Sequence, residues 1–441
     1  MPRLCCHECG KCFEPYPIKT VCPSCSGFLL PMEQSPLSPR KGKGVWRFSK
    51  NLASTPPEGR RISLGEGDTP LIPVSSLAPG KIRLYVKDES RNPTGTFIDR
   101  GAATLVTAAS CQGYRKIVAA SLGGDLAVSL GAYARRAGLG FRALLPRSID
   151  LAKAYQILVY ADRVDYVDTY EEVLRRLSRL HPEATALPVS SSNPYLLDGY
   201  KTLYYEIYLE LGNHPDVVVV PMGDGALLTA LWLAARDLGG KPRFIGVRGC
   251  ADTPLLKDIA PPKPLMISVV RDVLEETGGF MTEVCEEELL ETIRIAARSI
   301  GLLLEPVGVD ALAAARRLGA DLGGGRVVAI ATGGPLRDSA VLRRLVGRIQ
   351  GVSGLGPTKT RILEIIVARG PIHPYEVWRI LQDAYKVRIG LKTLYQHVKE
   401  LEAQGYIVPA GRSVVKGRVR VLYRATDKAF SNLGWEDGRE S

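Results

Sequence analysis

Six of the nine cysteines lie between Cys5 and Cys25, and four of them have the spacing of metal ligands. Two C-x-x-C pairs are separated by twelve residues. In zinc ribbons each such pair directs two thiolates at one metal ion. The predicted ligands are Cys6, Cys9, Cys22 and Cys25. A closed site of four thiolates would hold a structural zinc, because it leaves no open position for a substrate.

The other cysteines leave part of this assignment open. Cys9 and Cys12 form an alternative pair, and Cys5 lies beside the first ligand. A disulfide cluster is the competing interpretation, and a cytoplasmic location would disfavour it. Three more cysteines are scattered in apolar surroundings, which is typical of inert core residues. These are Cys111, Cys250 and Cys285.

A second stretch with candidate chemistry covers residues 87–101 and reads KDESRNPTGTFIDRG. Upstream, residues 64–71 read LGEGDTPL. Both stretches resemble the active-site segments of threonine synthases, within the tryptophan-synthase-β-like group of pyridoxal phosphate enzymes. A zinc ribbon also precedes the body of some threonine synthases. The resemblance covers about residues 1–345 and implies the α/β body of fold-type II pyridoxal enzymes.

In that family the position held here by Ile98 is the lysine that forms the Schiff base. Its amine holds the cofactor, hands it to the substrate and then moves a proton, and isoleucine does none of these. Lys87 matches a different family position and is not a substitute. The resemblance therefore implies a body without a catalytic residue. Pyridoxal phosphate is expected to be absent or bound non-covalently.

Other positions that the family uses for its cofactor have also changed. Asp125 stands where the family has an asparagine that contacts the cofactor ring hydroxyl. The phosphate loop reads Gly223-Asp224-Gly225, and its carboxylate would repel a phosphate. Thr332, by contrast, is unchanged: it resembles the threonine that is the family's partner for the pyridine nitrogen of the cofactor. These positions imply a vestigial ligand cleft, either a binding site for an amino acid or related metabolite or part of a dimerisation scaffold.

The elements that must position these residues alternate between strands and helices. Apolar runs at residues 116–120, 216–220 and 326–330 each precede a glycine-containing turn and a helical pattern. Runs of this kind favour buried parallel strands, with ligand sites at their carboxyl ends.

After residue 357 the pattern changes to short helices followed by a β-hairpin. It predicts helices at residues 358–368, about 374–383 and 391–402. The apolar residues of the third helix share one face, and the other side, near the helix N-terminus, carries side chains that can contact bases and phosphates. These are Lys392, Thr393, Tyr395, Gln396 and Lys399.

The predicted hairpin is basic, with no acidic residue between Gly405 and Thr426. Its cationic residues are Arg412, Lys416, Arg418, Arg420 and Arg424. The segment resembles winged helix-turn-helix repressors, especially the PadR-like group, whose recognition helix has a similar Thr-Leu-Tyr run. The resemblance implies double-stranded DNA as a partner. A protein-binding winged helix and a solvated basic face are the alternatives.

Charge and composition agree with such a partner. The chain has a net charge of +12, and residues 351–441 hold 15 lysines and arginines against 9 acidic residues, so half of the excess charge lies there. No apolar run has membrane-spanning length, and the first residues lack an apolar signal core. We therefore expect a cytoplasmic protein with no membrane partner.

These patterns predict a homodimeric transcriptional regulator built on an inactive threonine-synthase-like body, which would also sense a small effector. One alternative is an active pyridoxal phosphate-dependent threonine synthase or related lyase with a DNA-binding tail, and another is an architectural DNA binder without a ligand. The predicted domains are a zinc ribbon (1–30), a linker without a core face (31–61), the α/β body of two subdomains (62–350), the winged helix-turn-helix (351–430) and a tail (431–441).

Overall fold

Most of the chain folds around parallel β-strands joined by helices. The structure, a computed structural model, describes residues 3–32, 35–179, 185–250, 261, 263–334, 355–383, 387, 389–415 and 418–433. The chain divides into two units, Met1–Ser339 and Ala340–Ser441.

The strands of the first unit lie along most of its length. They are β1 (Arg3–Cys6), β2 (Cys12–Phe13), β3 (Leu29–Met32), β4 (Leu71–Pro73), β5 (Ile82–Asp88), β6 (Lys116–Ala120), β7 (Gly140–Pro146), β8 (Arg163–Val167), β9 (Ala186–Val189), β10 (Val217–Pro221), β11 (Arg243–Gly249), β12 (Phe280–Val284) and β13 (Gly325–Ala331).

The helices of this unit alternate with the strands from β5 onward. They are α1 (Ile98–Cys111), α2 (Asp125–Arg136), α3 (Leu151–Tyr160), α4 (Tyr170–Ser178), α5 (Pro194–Leu211), α6 (Ala226–Asp237), α7 (Ile267–Thr277), α8 (Glu286–Ile300) and α9 (Pro306–Leu318). Short 3-10 helices lie at Val45–Asn51, Glu58–Arg60, Ser75–Leu77 and Glu89–Arg91.

Two sheets organise the α/β body. One has six strands in the order β12-β11-β10-β13-β5-β4, all parallel except β4, which is antiparallel to β5. The other has four parallel strands in the order β8-β7-β6-β9. The three predicted apolar runs form β6, β10 and β13. Every residue of β10 is buried, as expected for a central strand covered by helices on both faces.

The prediction of a linker at residues 31–61 is wrong in one respect, because this segment does have a face that packs into the core. Val45, Trp46, Phe48 and Leu52 are buried and belong to the main hydrophobic core. Trp46 donates a hydrogen bond to the carbonyl of Ile62 at 2.9 Å. A 3-10 helix of seven residues is too short to show a clear hydrophobic period, so the sequence pattern did not reveal it.

The first three strands form a separate antiparallel sheet in the order β2-β1-β3. Cys5 and Cys12 face each other across β1 and β2 and form a disulfide. The expectation that the scattered cysteines are inert is wrong for Cys250 and Cys285, which form a second disulfide. Only the fold brings this pair together, because the two residues are 35 positions apart.

The second unit contains short helices and one hairpin. Its elements are α10 (Pro357–Arg369), α11 (Pro374–Asp383), α12 (Leu391–Ala403), β14 (Ile407–Val415), β15 (Arg418–Ala425) and α13 (Asp427–Leu433). The helices and the hairpin share a small core of their own, which includes Ile362, Ile366, Leu394, Val398 and Leu401. Across the described residues, none of the helices is long and apolar enough to cross a membrane.

Candidate functional site

A cleft in the first unit lies where strands from both parallel sheets end. Its walls include Ala120 at the end of β6, Pro221 at the end of β10 and Thr332 just after β13. The cavity has a volume of about 160 Å³. The N-termini of α1, α2 and α6 contribute Ile98, Asp125 and Ala226 to its lining. This is the position in which α/β proteins bind ligands.

The structure brings the six cleft residues singled out from the sequence into this one cavity. They are Ile98, Asp125, Gly223, Asp224, Gly225 and Thr332. Ile98 is the first residue of α1, and the segment before it is tied to the end of β13. The backbone N–H of Phe97 donates to the carbonyl of Thr332 at 3.1 Å, and Thr96 pairs with Gly333. These contacts hold the Ile98 side chain in the wall of the cleft.

None of the described residues that line the cleft is a lysine or an arginine. Lys87 is fully buried elsewhere, where its Nζ lies 3.0 Å from Glu206 and 2.7 Å from Glu210. Lys153, on α3, is the lysine that pairs with a cleft residue. Its Nζ lies 2.9 Å from Oδ2 of Asp125, and the side chain is almost completely buried. Asp125 therefore enters the cleft already paired with a cation.

Asp224 occupies the loop between β10 and α6. Its carboxylate accepts hydrogen bonds from the hydroxyls of Ser191 and Tyr170 and from the backbone N–H of Leu265. All three donors are uncharged. Burial raises the pKa of Asp224, and the hydrogen bonds from its neighbours oppose that rise. Asp224 directly precedes Gly225, the N-cap residue of α6, at the end of the helix that favours an anion.

The hydroxyl of Thr332 is a polar group inside the cleft without a visible partner. The residue is 4% exposed, and its Oγ1 has no hydrogen-bond partner among the described residues. An unsatisfied buried hydroxyl costs about 1–3 kcal/mol. A ligand in the cleft could satisfy it.

Sequence analysis missed several polar residues of the cleft. These are Ser121, Tyr170, Ser191 and Glu305. Ser121 directly follows the predicted strand at residues 116–120, so the rule that sites lie at strand ends could have identified it. Glu305 precedes α9 rather than following a strand, and no sequence signal marked it.

The N-terminal cysteine cluster brings four sulfurs close enough to bind one metal ion. The sulfurs of Cys6, Cys9, Cys22 and Cys25 lie within 4.8 Å of one another. Two of the distances are 3.4 Å, from Cys6 to Cys25, and 3.7 Å, from Cys9 to Cys22. Zinc–sulfur bonds of about 2.3 Å would place the four sulfurs about 3.8 Å apart. The cluster could therefore hold a zinc ion, and the disulfide of Cys5 with Cys12 leaves these four as the ligand set.

In the second unit, α12 separates an apolar face from an exposed polar one. Leu394, Val398 and Leu401 are buried, as predicted, and Leu391 is half-buried. The five predicted contact residues are all exposed. They are Lys392, Thr393, Tyr395, Gln396 and Lys399.

The predicted basic residues of the hairpin differ in how exposed their side chains are. Arg412 and Arg424 are exposed, whereas Arg420 is half-buried, with its guanidinium 5.6 Å from the ring centre of Tyr375 on α11. Arg420 and Arg424 lie four residues apart on β15 and therefore share a face. Arg418 begins β15, and Lys416 lies outside the described residues.

The fold and the cleft define an α/β protein whose site lies where the parallel strands of its two sheets end. Residues 62–333 match the family described as "Pyridoxal-phosphate dependent enzyme". The chain belongs to this family. It is 31% identical over 376 residues to a threonine synthase of Methanocaldococcus jannaschii, with 76% of this chain and 92% of that protein covered. A threonine synthase of a Synechocystis species is 32% identical over 301 residues, covering 63% and 78% of the two chains.

Solved structures agree with this fold. Maize serine racemase superposes with a TM-score of 0.54 and 20% sequence identity, covering 63% of this chain and 92% of that one. The family match ends at residue 333, so the second unit lies outside it.

Proposed function

We propose that this protein is a DNA-binding transcriptional regulator in which the threonine-synthase-like body has lost its Schiff-base lysine and binds a ligand without covalent chemistry. The observation that carries the proposal is Ile98 in the wall of a cleft whose described lining contains no lysine. The second unit would supply the DNA-binding function, as a winged helix-turn-helix related to PadR-like repressors.

The residues of the cleft do not fit covalently held pyridoxal phosphate. The amine that would bind the cofactor is absent from the described lining, and Asp224 places a carboxylate at the N-terminus of α6, where the family pattern has its phosphate loop. A second negative charge beside a phosphate is unfavourable. We therefore derive no catalytic step through this cofactor.

The absorption spectrum of the full-length protein mixed with pyridoxal phosphate tests the loss of the lysine. We expect no imine band and no adduct after borohydride reduction. The matched variant is Ile98→Lys, which restores an amine at this position, and its spectrum shows whether the cleft still admits the cofactor.

The same experiment tests the rival function, which the names of the relatives favour. An active threonine synthase would form a stoichiometric reducible imine and convert phosphohomoserine to threonine. Lys153 is the buried lysine to examine first, because it contacts Asp125 in the cleft wall. An adduct on Lys153 that disappears in Lys153→Met would contradict the inactive body.

The proposal that the second unit binds DNA is supported by the exposed face of α12 and by the basic hairpin beside it in the sequence. In winged helix-turn-helix proteins the corresponding helix contacts base edges, and basic side chains contact phosphates. A homodimer would present two such helices to a palindromic site. We also propose that the four-cysteine cluster holds a structural zinc ion.

Replacing both Arg420 and Arg424 with alanine should weaken binding to every duplex sequence. Each lost phosphate contact should reduce the slope of log affinity against log salt by about 0.9. Fluorescence anisotropy with a labelled random-sequence duplex at several salt concentrations measures this slope. Lys428→Ala, which removes an exposed lysine of α13, is the control and should leave the slope unchanged.

Gln396→Ala separates base recognition from phosphate contact. This variant should change the sequences enriched from a random duplex pool while leaving the salt slope near that of the wild type. Equal effects of the Gln396 variant and of the double arginine variant on the slope would contradict the proposed orientation. Binding of one protomer per duplex would contradict the dimer.

A further inference from the structure

The cleft has an acidic lining, which is unusual for a site whose family binds a phosphorylated cofactor. Three carboxylates line it, those of Asp125, Asp224 and Glu305, and its described lining contains no cationic side chain. Lys153 pairs with Asp125. Asp224, by contrast, accepts hydrogen bonds from uncharged donors. The charged side chains of the described lining therefore favour a cation.

We propose that the cleft binds a small aliphatic amine, with an ammonium group at Asp224 and no phosphate. This inference rests on the proposed function, because it takes the cleft to be a non-covalent binding site. It names the chemical class of the effector that the regulator would sense.

A cationic ligand would satisfy the Asp224 carboxylate, whose hydrogen-bond donors among the described residues are all uncharged. Burying a carboxylate among neutral groups is costly, and an ammonium group within contact distance offsets that cost. Ser191 and Tyr170 come from separate segments and hold the Asp224 carboxylate in place. The group is therefore positioned before the ligand arrives, which reduces the entropy lost on binding.

A second and independent observation points to a ligand in the same cavity. The hydroxyl of Thr332 is buried, lines the cleft and has no hydrogen-bond partner among the described residues. Buried hydroxyls in folded proteins are normally paired. A second polar group on the ligand would provide the missing partner.

The remaining walls suit an alkyl chain. Ile98, Leu122, Leu126 and Leu227 line the cleft between the polar groups. The volume of about 160 Å³ limits the ligand to a small molecule. A cavity of about 150 Å³ accommodates benzene, so an amine of amino-acid size fits and a nucleotide does not.

Isothermal titration calorimetry of the full-length protein tests this inference without DNA. The probes are ethylenediamine, diaminobutane and diaminohexane, with butanediol as the neutral analogue and inorganic phosphate and pyridoxal phosphate as the anionic ones. We expect at least one diamine to bind about tenfold or more tightly than butanediol, and neither anion, titrated by itself, to bind as tightly as that diamine.

Asp224→Asn keeps the shape of the side chain and removes its charge. It should weaken diamine binding about tenfold or more, because the ammonium group loses its charged partner. Asp168→Asn is the control, since Asp168 is 89% exposed in its surface pair with Arg147 and does not line the cleft. Thr332→Val provides a second variant if Asp224→Asn melts earlier than the wild type without ligand, and it should also weaken binding.

The outcomes separate this inference from the proposed function. Failure of every diamine, equal affinity for butanediol, or tighter binding of either anion would overturn it. Diamine binding by a protein that fails to bind duplex DNA would support the inference and reject the regulator. Duplex binding without diamine binding would reject the inference and leave the DNA-binding function standing.

Discussion

A Cys22→Ala variant is expected to lose the zinc ion that we propose for the four-cysteine cluster and to lower the Tm of the first unit by several degrees. The thiols of Cys6 and Cys22 lie in residues that are 4% and 1% exposed and belong to the main hydrophobic core. Metal binding in such sites is coupled to folding, so loss of one ligand removes both the ion and the order that it imposes. Mass spectrometry of the intact native protein measures zinc per chain, and calorimetry measures Tm.

The matched control is Cys111→Ser. Cys111 is a half-buried cysteine outside both the cluster and the two disulfides, and its replacement should leave the zinc content unchanged. Cys5→Ser should also retain zinc, because Cys5 is bonded to Cys12 rather than to the four-sulfur cluster. A wild-type protein purified without chelators that contains no stoichiometric zinc would contradict the proposed metal site.

An Arg100→Met variant should destabilise the first unit by about 3–5 kcal/mol, because it removes the guanidinium that pairs with the buried carboxylates of Glu89 and Glu206. Arg100 is fully buried in α1, two residues after Ile98. Its guanidinium lies 2.7 Å from Glu89 and 2.7 Å from Glu206, and it also contacts the hydroxyls of Thr69 and Thr202. The network joins α1 to α5 and to the end of β5, so it fixes the wall that carries Ile98.

Guanidinium unfolding followed by circular dichroism measures this loss. Arg147→Met is the control, since Arg147 is 69% exposed and its partner Asp168 is 89% exposed. An exposed pair of this kind contributes less than about 1 kcal/mol. Equal destabilisation by the two variants would show that the buried network does not fix α1.

The wild type and the Arg100→Met variant should respond differently to acid. Burial by itself raises the pKa of Glu206, but the charge and hydrogen bonds of Arg100 outweigh it and hold the pKa at about 2. A depressed pKa contributes stability above the unfolded value of about 4.3, and that stability is lost as the pH falls toward 2. Without Arg100 the pKa of Glu206 should rise, because burial then acts against fewer stabilising partners. The stability gap between wild type and Arg100→Met should therefore narrow between about pH 4 and pH 2.

Family membership and the chemistry of the cleft give different information about this protein. The fold and the relatives establish a pyridoxal-phosphate dependent enzyme family. The individual side chains decide what the cleft can bind, because the same fold hosts many functions. Ile98 and Asp224, which both line the cleft, are the residues on which we base the proposal that it does not hold pyridoxal phosphate covalently.

Much of the architecture could be predicted from local patterns in the sequence. The apolar runs that became β6, β10 and β13 predicted parallel strands, and the spacing of Leu394, Val398 and Leu401 predicted the buried face of α12. These features repeat within a single element, so the period of the side chains alone determines them. The two C-x-x-C pairs could also be predicted from a local pattern, because each pair lies within one short turn.

What only the tertiary structure decided depends on residues far apart in the chain. Asp125 meets Lys153 across 28 positions, and Asp224 meets Tyr170 across 54. Cys250 meets Cys285 only because the two residues directly follow the neighbouring parallel strands β11 and β12. Sequence spacing does not predict these contacts, because the order of the strands and the paths of the loops determine them. The amino-acid sequence therefore determined the elements and identified six of the cleft residues, and the tertiary structure decided which of their charges are already paired.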